Sequence, residues 1–374
     1  MILGTLQPQI GGYKAFVPNK FPPKNLKFSN KIIQKANEAT RLIGKLDGIS
    51  QLLPDVDFFL FMYVRKDATS SSQIEGTRAT MIDAIGIESK TSSDAPSDVE
   101  DIIHYISALN YGLTRLENFP LSLRVIKEIH EKLMSGTRKT HFADPGNFRS
   151  SQNWIGGTSP KDALFVPPPA HEVNNAMGDL ENFFHNNDDI LPIVKTALIH
   201  AQFETIHPFL DGNGRTGRML ITLFLWQKNL LEKPLLFLSS FFNKHRKTYY
   251  DRLSSYRYGE VEEWLDFFLT GVCEIAKEAV TTAKEITKLR EEDLKKIHAL
   301  GKTESESALK ILPELFKTPI INVARVQEIT GYSRAGAGKV IERFIRLGIL
   351  EQKDENKKYG RSFIYRTYVN IFSK

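Results

Sequence analysis

The residues best able to do chemistry lie in one run of twelve, HPFLDGNGRTGR, from His207 to Arg218. His207 is the only side chain nearby that can take a proton near neutral pH. The Gly-Asn-Gly segment, Gly212 to Gly214, stands at the expected start of a helix. Glycines let backbone amides turn toward a ligand, and a helix N-terminus carries partial positive charge. The run therefore predicts an anion cradle beside a general base.

The charged residues of the run indicate a polyphosphate with a metal ion. Arg215 and Arg218 are three positions apart on the expected helix, so they share a face on which two guanidinium groups can grip phosphates. Asp211 would be repelled by phosphate unless a divalent cation lay between them, and Mg²⁺ is the natural bridge. A plain tight turn with solvated arginines is the simpler alternative, but the combination of His, Asp and two Arg argues against it.

Two other phosphate-binding motifs are excluded by their context. GNGRTG matches the dinucleotide pattern GxGxxG, which requires a buried strand before it. The preceding segment reads instead as an amphipathic helix, with one apolar face made of Ile190, Val194, Ala197, Leu198 and Ala201. A Walker loop is absent from the sequence, since Gly338-Lys339 is followed by Val340.

At every fixed position the run is similar to the Fic family motif, HxFx(D/E)GNGRxxR. The resemblance implies an all-α core, ATP as the usual donor and transfer of AMP to Ser, Thr or Tyr hydroxyls of proteins. By position, His207 resembles the general base, Phe209 the anchor of the loop and Asp211 the metal ligand.

The resemblance also assigns the nucleotide-binding residues. They are Gly212, Asn213 and Gly214 as the anion hole for the α- and β-phosphates, Arg215 and Arg218 on the β- and γ-phosphates, and Thr216 and Gly217 within the same run. The implied mechanism is in-line attack at the α-phosphorus with pyrophosphate leaving, helped by positioning and charge neutralisation.

A second element, Ser71-Ser72-Gln73-Ile74-Glu75-Gly76, looks like the family's inhibitory motif, (S/T)xxxE(G/N). Ser71 and Glu75 are four apart and are expected on one helix face. In such proteins the Glu pairs with the second arginine, here Arg218, and fills the space of the γ-phosphate. The resemblance therefore implies a self-inhibited enzyme, often a homodimer, in which Glu75 could also position a water for removal of AMP.

The segment 146–169 resembles the family's flap, in which RSSQNWIG and ALFVP are expected to pair as a small hairpin. A target segment could add to it as a strand and hold its hydroxyl over His207. The flap residues expected nearest the nucleotide are Ile155, Gly156, Gly157 and Thr158.

The segment HRKTYYDRLSSYR stands where family members contact the adenine. Tyr249 and Tyr250 are adjacent, so at most one is expected to face the pocket, and Tyr249 is favoured. No catalytic role is assigned to the single histidines His104, His130, His171 and His200.

The surrounding pattern predicts an all-α, Fic-type helical core with the small hairpin flap, followed by a winged helix-turn-helix domain. Three regions are predicted: 1–95 with the inhibitory motif, 96–298 as the catalytic core and 303–374 as the winged helix. Residues 1–28 look like an extended arm without regular structure. Ser97 and Ser122 are expected helix N-caps. Core helices are predicted over 30–46, 54–68, 98–117, 122–134, 171–185, 190–206, 213–230, 246–257 and 261–298, the last as one helix or two.

Composition limits the class of protein. The 374 residues are 41% hydrophobic and 25% charged, which is typical of a soluble globular chain. No apolar stretch reaches the roughly 20 residues of a membrane span, and the N-terminus lacks a secretory pattern, so a cytoplasmic protein without membrane partners is expected. Cys273 is the only cysteine, which excludes an intramolecular disulfide.

The positive charge is concentrated at the C-terminus, because residues 301–374 carry 14 Lys/Arg against 8 Asp/Glu. This leaves open a nucleic-acid partner and a different class of function, a DNA-binding regulator whose recognition helix offers Arg334, Lys339 and Arg343. A Fic enzyme with another phosphate-containing donor is the second alternative.

Overall fold

The computed structural model describes residues 2–23, 26–51, 53, 56–89, 96–136, 143–186 and 188–372. Its helices are α1 (Asn30–Ser50), α2 (Val56–Ile74), α3 (Met81–Glu88), α4 (Val99–Leu116), α5 (Leu123–Met134), α6 (Val173–His185), α7 (Pro192–Ile206), α8 (Asn213–Gln227), α9 (Ser239–Lys244), α10 (Arg246–Arg257), α11 (Val261–His298), α12 (Lys302–Lys317), α13 (Val323–Thr330), α14 (Arg334–Arg346) and α15 (Arg366–Ile371). Its strands are β1 (Gly4–Gln9), β2 (Tyr13–Pro18), β3 (Ile320–Asn322), β4 (Glu351–Gln352) and β5 (Ser362–Ile364). Within these ranges no helix is both long and apolar enough to span a bilayer.

The predicted core helices are confirmed, with ends that differ by a few residues. The second one is described only from Val56, since the expected start at residues 54–55 lies outside the described residues. Helix α11 is continuous over 38 residues, which decides between one helix and two. Ser122 caps α5 as expected, because its Oγ accepts from the Val125 amide. The cap predicted at Ser97 is wrong: Asp98 is the N-cap of α4.

The N-terminal segment is a hairpin, so the prediction of an irregular arm is wrong. Strands β1 and β2 pair antiparallel from Gly4 with Pro18 to Gln9 with Tyr13. The turn between them contains Gly11 and Gly12 with φ of 109° and 79°, a conformation that glycine adopts without steric cost. The Phe16 amide donates to the Val166 carbonyl at 2.9 Å, which attaches this hairpin to the flap region.

The centre of the core is the pair of helices α7 and α8. Every residue of α7 from Ile193 to Ile206 is buried, so the prediction of an amphipathic helix with one apolar face is wrong. A helix surrounded by others has no solvent face. Its polar side chains must then find partners inside the protein, and several of them are part of the site described below.

The flap region contains no regular strands. Its two arms meet in one antiparallel bridge between Ile155 and Phe165, with the Ile155 amide donating to the Phe165 carbonyl at 2.8 Å. The predicted hairpin is therefore present only as a single bridge. The Gly, Pro, Asn and Ser content of residues 140–170 predicts one long loop, of which residues 140–142 lie outside the described residues.

The C-terminal region combines helices α12, α13 and α14 with a three-stranded antiparallel sheet in the order β3-β5-β4. The runs LEQKD and SFIYRTYV predict two strands for the wing. The second is a strand only over Ser362–Ile364, after which helix α15 begins, and strand β3 is additional to the two predicted ones. Tyr368 and Phe372 at this end contact Phe58, Phe59 and Tyr63 of α2. The winged-helix assignment and the region boundaries stay predictions.

Candidate active site

His207 directly follows helix α7 in a left-handed conformation, with φ of 50° and ψ of 60°. Such a conformation is uncommon for a residue with a side chain and must be held by its surroundings. The His207 carbonyl accepts from Arg149 Nε at 2.9 Å and from Asn153 Nδ2 at 3.1 Å. Both donors come from the flap region, so the flap holds the turn that orients the imidazole.

The loop after His207 is closed by Asn213. Its Oδ1 accepts from the Phe209 amide and its Nδ2 donates to the Phe209 carbonyl, both at 2.8 Å. Phe209 is fully buried and stacks on the His130 ring, with centroids 3.6 Å apart and planes 3° apart. Asn213 and Phe209 therefore fix the loop that precedes α8.

His130 holds the same loop from the other side. Its Nδ1 accepts from the Gly146 amide at 3.0 Å, so its Nε2 carries the hydrogen and donates to the Asp211 carbonyl at 2.9 Å. Burial lowers the pKa of His130 to about 4, which keeps the ring neutral at pH 7. The sequence alone gave no role to His130. Its one indication was that this histidine falls on the buried face of α5.

These elements enclose a cavity of about 660 Å³. The predicted site residues that line it are Glu75, Ile155, Gly156, His207, Asp211, Gly212, Asn213, Gly214, Arg218, Tyr249 and Tyr250. The lining residues that were not predicted include Trp154, Leu164, Phe165, Glu204, Leu253, Ser254 and Arg257. Most of the expected site is thus brought together around one space at the N-terminus of α8.

The inhibitory motif lies against the arginine expected for it. Arg218 donates from Nη2 to Glu75 Oε1 at 2.7 Å, from Nε to Ser71 Oγ at 2.8 Å and from Nη2 to the Ser71 carbonyl at 3.0 Å. Glu75 lies one residue beyond the end of α2 rather than on its face, and Gly76, with φ of 101°, completes the turn. A Cβ added to Gly214 would lie 2.4 Å from Glu75 Oε1, so this carboxylate lies directly over the glycine cradle.

Arg215 does not join Arg218 on the cavity wall. Its Nη1 lies 3.6 Å from Asp101 Oδ1, and its Nη2 lies 3.4 Å from Met134 Sδ and 4.0 Å from Asp211 Oδ1. The two guanidinium groups point toward different helices because acceptors flank α8 on both sides. One further donor of Arg215, Nε, is buried without a partner among the described residues.

Asp211 is suited to a magnesium ion delivered with a nucleotide. Its carboxylate lines the cavity beside the cradle and accepts from the Gly212 amide at 2.6 Å. Proteins commonly bind Mg²⁺ through one or two carboxylates, with substrate phosphates and water supplying the other ligands. Among the described residues no group of three or more His, Cys, Asp or Glu could hold a metal ion.

Tyr249 and Tyr250 both line the cavity, so the expectation that at most one would do so is wrong. Neighbouring positions on a helix are about 100° apart, and a cavity can span that arc. Tyr249 is buried, and its hydroxyl donates to His200 Nε2 at 2.8 Å, while His200 Nδ1 donates to the Gly217 carbonyl at 2.9 Å. Tyr250 is 42% exposed at the cavity mouth. His200 is thus a second positioning histidine.

The remaining predicted residues lie off the cavity wall. Gly157, with φ of 72°, belongs to the flap turn, and Thr158 donates through its amide and hydroxyl to Asp162. Thr216 and Gly217 are buried within α8. A Cβ on Gly217 would lie 2.5 Å from Glu204 Oε1, so the absence of a side chain there makes room for that carboxylate.

The surroundings keep His207 neutral. Burial, followed by the positive charges of Arg257 and Arg149, lowers the pKa of His207 to about 3. A neutral imidazole is the form that a general base requires. Arg257 itself is buried, with its guanidinium 3.7 Å above the Phe165 ring of the flap.

The chain is similar to proteins of known class. A probable protein adenylyltransferase of Aquifex aeolicus is 33% identical over 168 residues, which are 41% of this chain and 49% of that protein. The protein adenylyltransferase Fic of Nematostella vectensis is 28% identical over 205 residues, 53% of this chain and 44% of that one. This chain therefore spans about half, or less, of the length of these curated relatives.

Solved structures share the fold. A Fic family protein from Desulfovibrio desulfuricans G20 matches with a TM-score of 0.59 at 20% identity, over 91% of this chain and 97% of that one. Fic-1 from C. elegans matches with a TM-score of 0.54 at 18% identity, over 68% and 73% of the two chains.

Two family models match adjacent parts of the chain. The model described as Fic/DOC family N-terminal matches residues 33–114, and the model described as Fic/DOC family matches residues 120–225. Together they account for about half of the chain, and the second contains the run from His207 to Arg218. The chain belongs to the Fic/DOC family.

Proposed function

We propose that this protein is an adenylyltransferase that moves AMP from ATP to a hydroxyl of a protein, with His207 as the general base. The observation that carries the proposal is the single cavity in which a neutral His207, the Gly212–Gly214 cradle and Arg218 meet. A base, an anion site and a fixed guanidinium are recurring parts of sites that transfer phosphoryl groups from nucleotides. The relatives named as adenylyltransferases support this choice of reaction.

In the proposed reaction His207 takes the proton of the target hydroxyl while the oxygen attacks the α-phosphorus. A new O–P bond forms, the bond from the α-phosphorus to the bridging oxygen of the β-phosphate breaks, and pyrophosphate leaves in line. The amides of Gly212–Gly214 at the N-terminus of α8 stabilise the developing charge. Mg²⁺ at Asp211, when bound, would neutralise phosphate charge.

We further propose that Glu75 inhibits the enzyme by occupying Arg218. The Glu75 carboxylate lies over Gly214 and takes one of the donors of the guanidinium, so the terminal phosphate of ATP cannot use the same space and the same donor. Whether Glu75 also serves in removal of AMP is a separate property of the same carboxylate, tested by incubating an AMP-modified target with the wild-type chain.

A role as a DNA-binding regulator is weakened by the orientation of one predicted contact. Arg343 is buried and donates to Ser307 Oγ at 2.8 Å and to Glu304 Oε1 at 3.0 Å. Of the three basic residues expected to read DNA, only Arg334 and Lys339 remain exposed on α14. Arg343 is therefore not available to a phosphate or a base edge.

The test uses Glu75→Gly incubated with Mg²⁺ and ATP labelled at either the α- or the γ-phosphate. We expect α-label on protein, raised about tenfold or more over wild type, corresponding to about 1.4 kcal/mol of barrier. Label should vanish in Glu75→Gly/His207→Ala. Label from the γ position alone would indicate a kinase and overturn the proposal. Competition by unlabelled CTP, GTP or UTP tests for another donor.

A further inference from the structure

A carboxylate that belongs to neither of the two family motifs lies beside the proposed base. Glu204 is in the last turn of α7, three residues before His207. Its Oε2 lies 3.8 Å from His207 Nδ1. Residues three apart on a helix are neighbours on its surface, and the left-handed turn at His207 leaves the ring next to this carboxylate.

Both members of the pair hold buried atoms with no hydrogen-bond partner among the described residues. These atoms are His207 Nδ1 and Glu204 Oε1. Glu204 is 5% exposed and lines the cavity, and no cationic side chain in the described part of the chain forms a salt bridge with it. A buried carboxylate without hydrogen-bond partners costs stability, so its presence calls for an explanation such as a role in the reaction. The separation of 3.8 Å exceeds a hydrogen bond, but such contacts are often long in free enzymes and shorten with substrate bound.

The close packing around Glu204 depends on a glycine. Gly217 lies within helix α8, and a Cβ at this position would meet Glu204 Oε1 at 2.5 Å and Phe203 Cδ1 at 3.0 Å. Gly217 is not on the cavity wall, so phosphate contact does not explain it. The missing side chain at Gly217 therefore leaves room beside α8 for the Glu204 carboxylate.

We infer that Glu204 is a positioning residue for His207: its carboxylate accepts from Nδ1–H, so that Nε2 faces the target hydroxyl, and it balances the imidazolium formed when the proton arrives. This inference rests on the proposed function only for the identity of the proton donor. The neutral tautomer with a free Nε2 is the one that a base needs.

The need for a compensating anion follows from the surrounding charges. The charged and titratable groups that act on the pair are Glu75, Arg149, Arg218, Tyr249 and Arg257. Arg257 and Arg149 disfavour the imidazolium, and Glu75 favours it. Once Glu75 leaves Arg218 to admit ATP, the Glu204 carboxylate is still 3.8 Å from the ring.

The experiment compares Glu204→Gln and Gly217→Ala in the Glu75→Gly background. We expect Glu204→Gln to lower kcat by about ten- to a hundredfold, as for loss of part of general-base assistance, with KM for ATP changed less than about twofold. Gly217→Ala should reproduce the loss by displacing the same carboxylate. The kcat of the parent should rise through neutral pH as Glu204 ionises, and this rise should be absent in Glu204→Gln.

A second readout does not depend on activity. In protein labelled with ¹⁵N-histidine, the His207 ring should be mainly the Nδ1–H tautomer, and Glu204→Leu, which removes the acceptor, should shift it toward Nε2–H. An unchanged tautomer, or a kcat within about twofold of the parent, overturns the inference while the proposed function stands. If Glu75→Gly transfers no AMP, the proposed function fails, and the tautomer shift still decides the inference.

Discussion

Oε1 of Glu75 accepts a hydrogen bond from Nη2 of Arg218 at 2.7 Å, across 143 positions of sequence. The same guanidinium is held by Ser71 through Nε and Nη2. Ser71 of α2 therefore orients the Arg218 guanidinium before any ligand binds. A phosphate would compete with Glu75 for the hydrogen bond from Nη2.

The contact between Glu75 and Arg218 should be insensitive to pH near neutrality. Burial is the largest influence and raises the pKa of Glu75, but the charge and hydrogen bond of Arg218 together with the charge of Arg215 outweigh it, so that the pKa is lowered overall. A depressed carboxylate pKa contributes stability at pH values above the usual one, and the contribution is lost as pH falls through the depressed value. Because the Glu75 side chain is 40% exposed to the cavity, we expect only about 1 kcal/mol. Calorimetry of wild type and Glu75→Gln should give a constant Tm difference from about pH 6 to 8, shrinking only below about pH 4. A difference that disappears between about pH 6 and 7 would contradict this.

Arg218→Lys should impair the enzyme even without Glu75. A lysine ammonium cannot reproduce the fork that binds Ser71 and still presents a donor to the cavity. In Glu75→Gly we expect kcat/KM to fall by about ten- to a hundredfold, or about 1.4 to 2.7 kcal/mol. Arg334→Lys, on the exposed surface of α14, is the matched control and should have no effect. Equal losses in both variants would refute a specific role for the guanidinium.

His130→Ala should loosen the loop that holds Asp211. The change removes the bond to the Asp211 carbonyl, the bond from the Gly146 amide and the stacking on Phe209. We expect a loss of about 3 kcal/mol in unfolding free energy and weaker binding of Mg²⁺-ATP in titration calorimetry. His130→Phe keeps the stacking on Phe209, so its unfolding free energy and its affinity for Mg²⁺-ATP should lie between those of wild type and His130→Ala. His171→Ala removes an exposed histidine and should change neither quantity.

Glu204→Gln should be more stable than wild type, with an advantage that grows with pH. Burial raises the pKa of Glu204 to about 7 from 4.5. A raised carboxylate pKa contributes stability that is present below the usual value and is lost as pH rises through the raised one. The variant should therefore gain on the order of 2 kcal/mol between about pH 4.5 and 7, measured by urea unfolding. If the unfolding free energies of wild type and Glu204→Gln differed by a constant amount over this range, Glu204 would be ionised in both the folded and the unfolded state.

Leu164→Ser should reduce modification of protein targets without affecting ATP. Leu164 is 86% exposed on the flap and lines the cavity mouth near Trp154, a position where an extended target segment would contact it. We expect several-fold less label on other proteins, with nucleotide affinity unchanged and stability within about 0.5 kcal/mol. Tyr359→Ser, at another exposed residue, is the control. Loss of ATP binding in Leu164→Ser would assign the residue to the nucleotide instead.

The sequence predicted the site better than the packing around it. His207, Asp211 and the cradle follow from residue types within one short run, and Glu75 was found through resemblance to a motif. Spacing alone placed Arg215 beside Arg218. It could not show that Asp101 on α4 and Ser71 on α2 draw the two side chains apart.

Other features depended on three-dimensional neighbours. Gly217 read as part of a phosphate loop, whereas its role in the structure is to leave space for Glu204. His130 and His200 could not be distinguished from ordinary buried histidines, because their partners are backbone carbonyls of distant residues. In the N-terminal segment, Gly11 and Gly12 indicated a hairpin turn. The prolines and aromatic residues around them favoured the prediction of an arm without regular structure.

Helix α2 joins two distant parts of the molecule. Phe59 and Tyr63 in its first half contact Phe372 near the C-terminus, and Ser71 in its last turn bonds Arg218. Helix α2 is continuous and about 28 Å long, so it rigidly connects the contacts at its two ends. Linkage fixes the form of any coupling along this helix: a molecule whose binding to the C-terminal region changed the affinity of the proposed site for ATP would have its own affinity changed by ATP by the same factor.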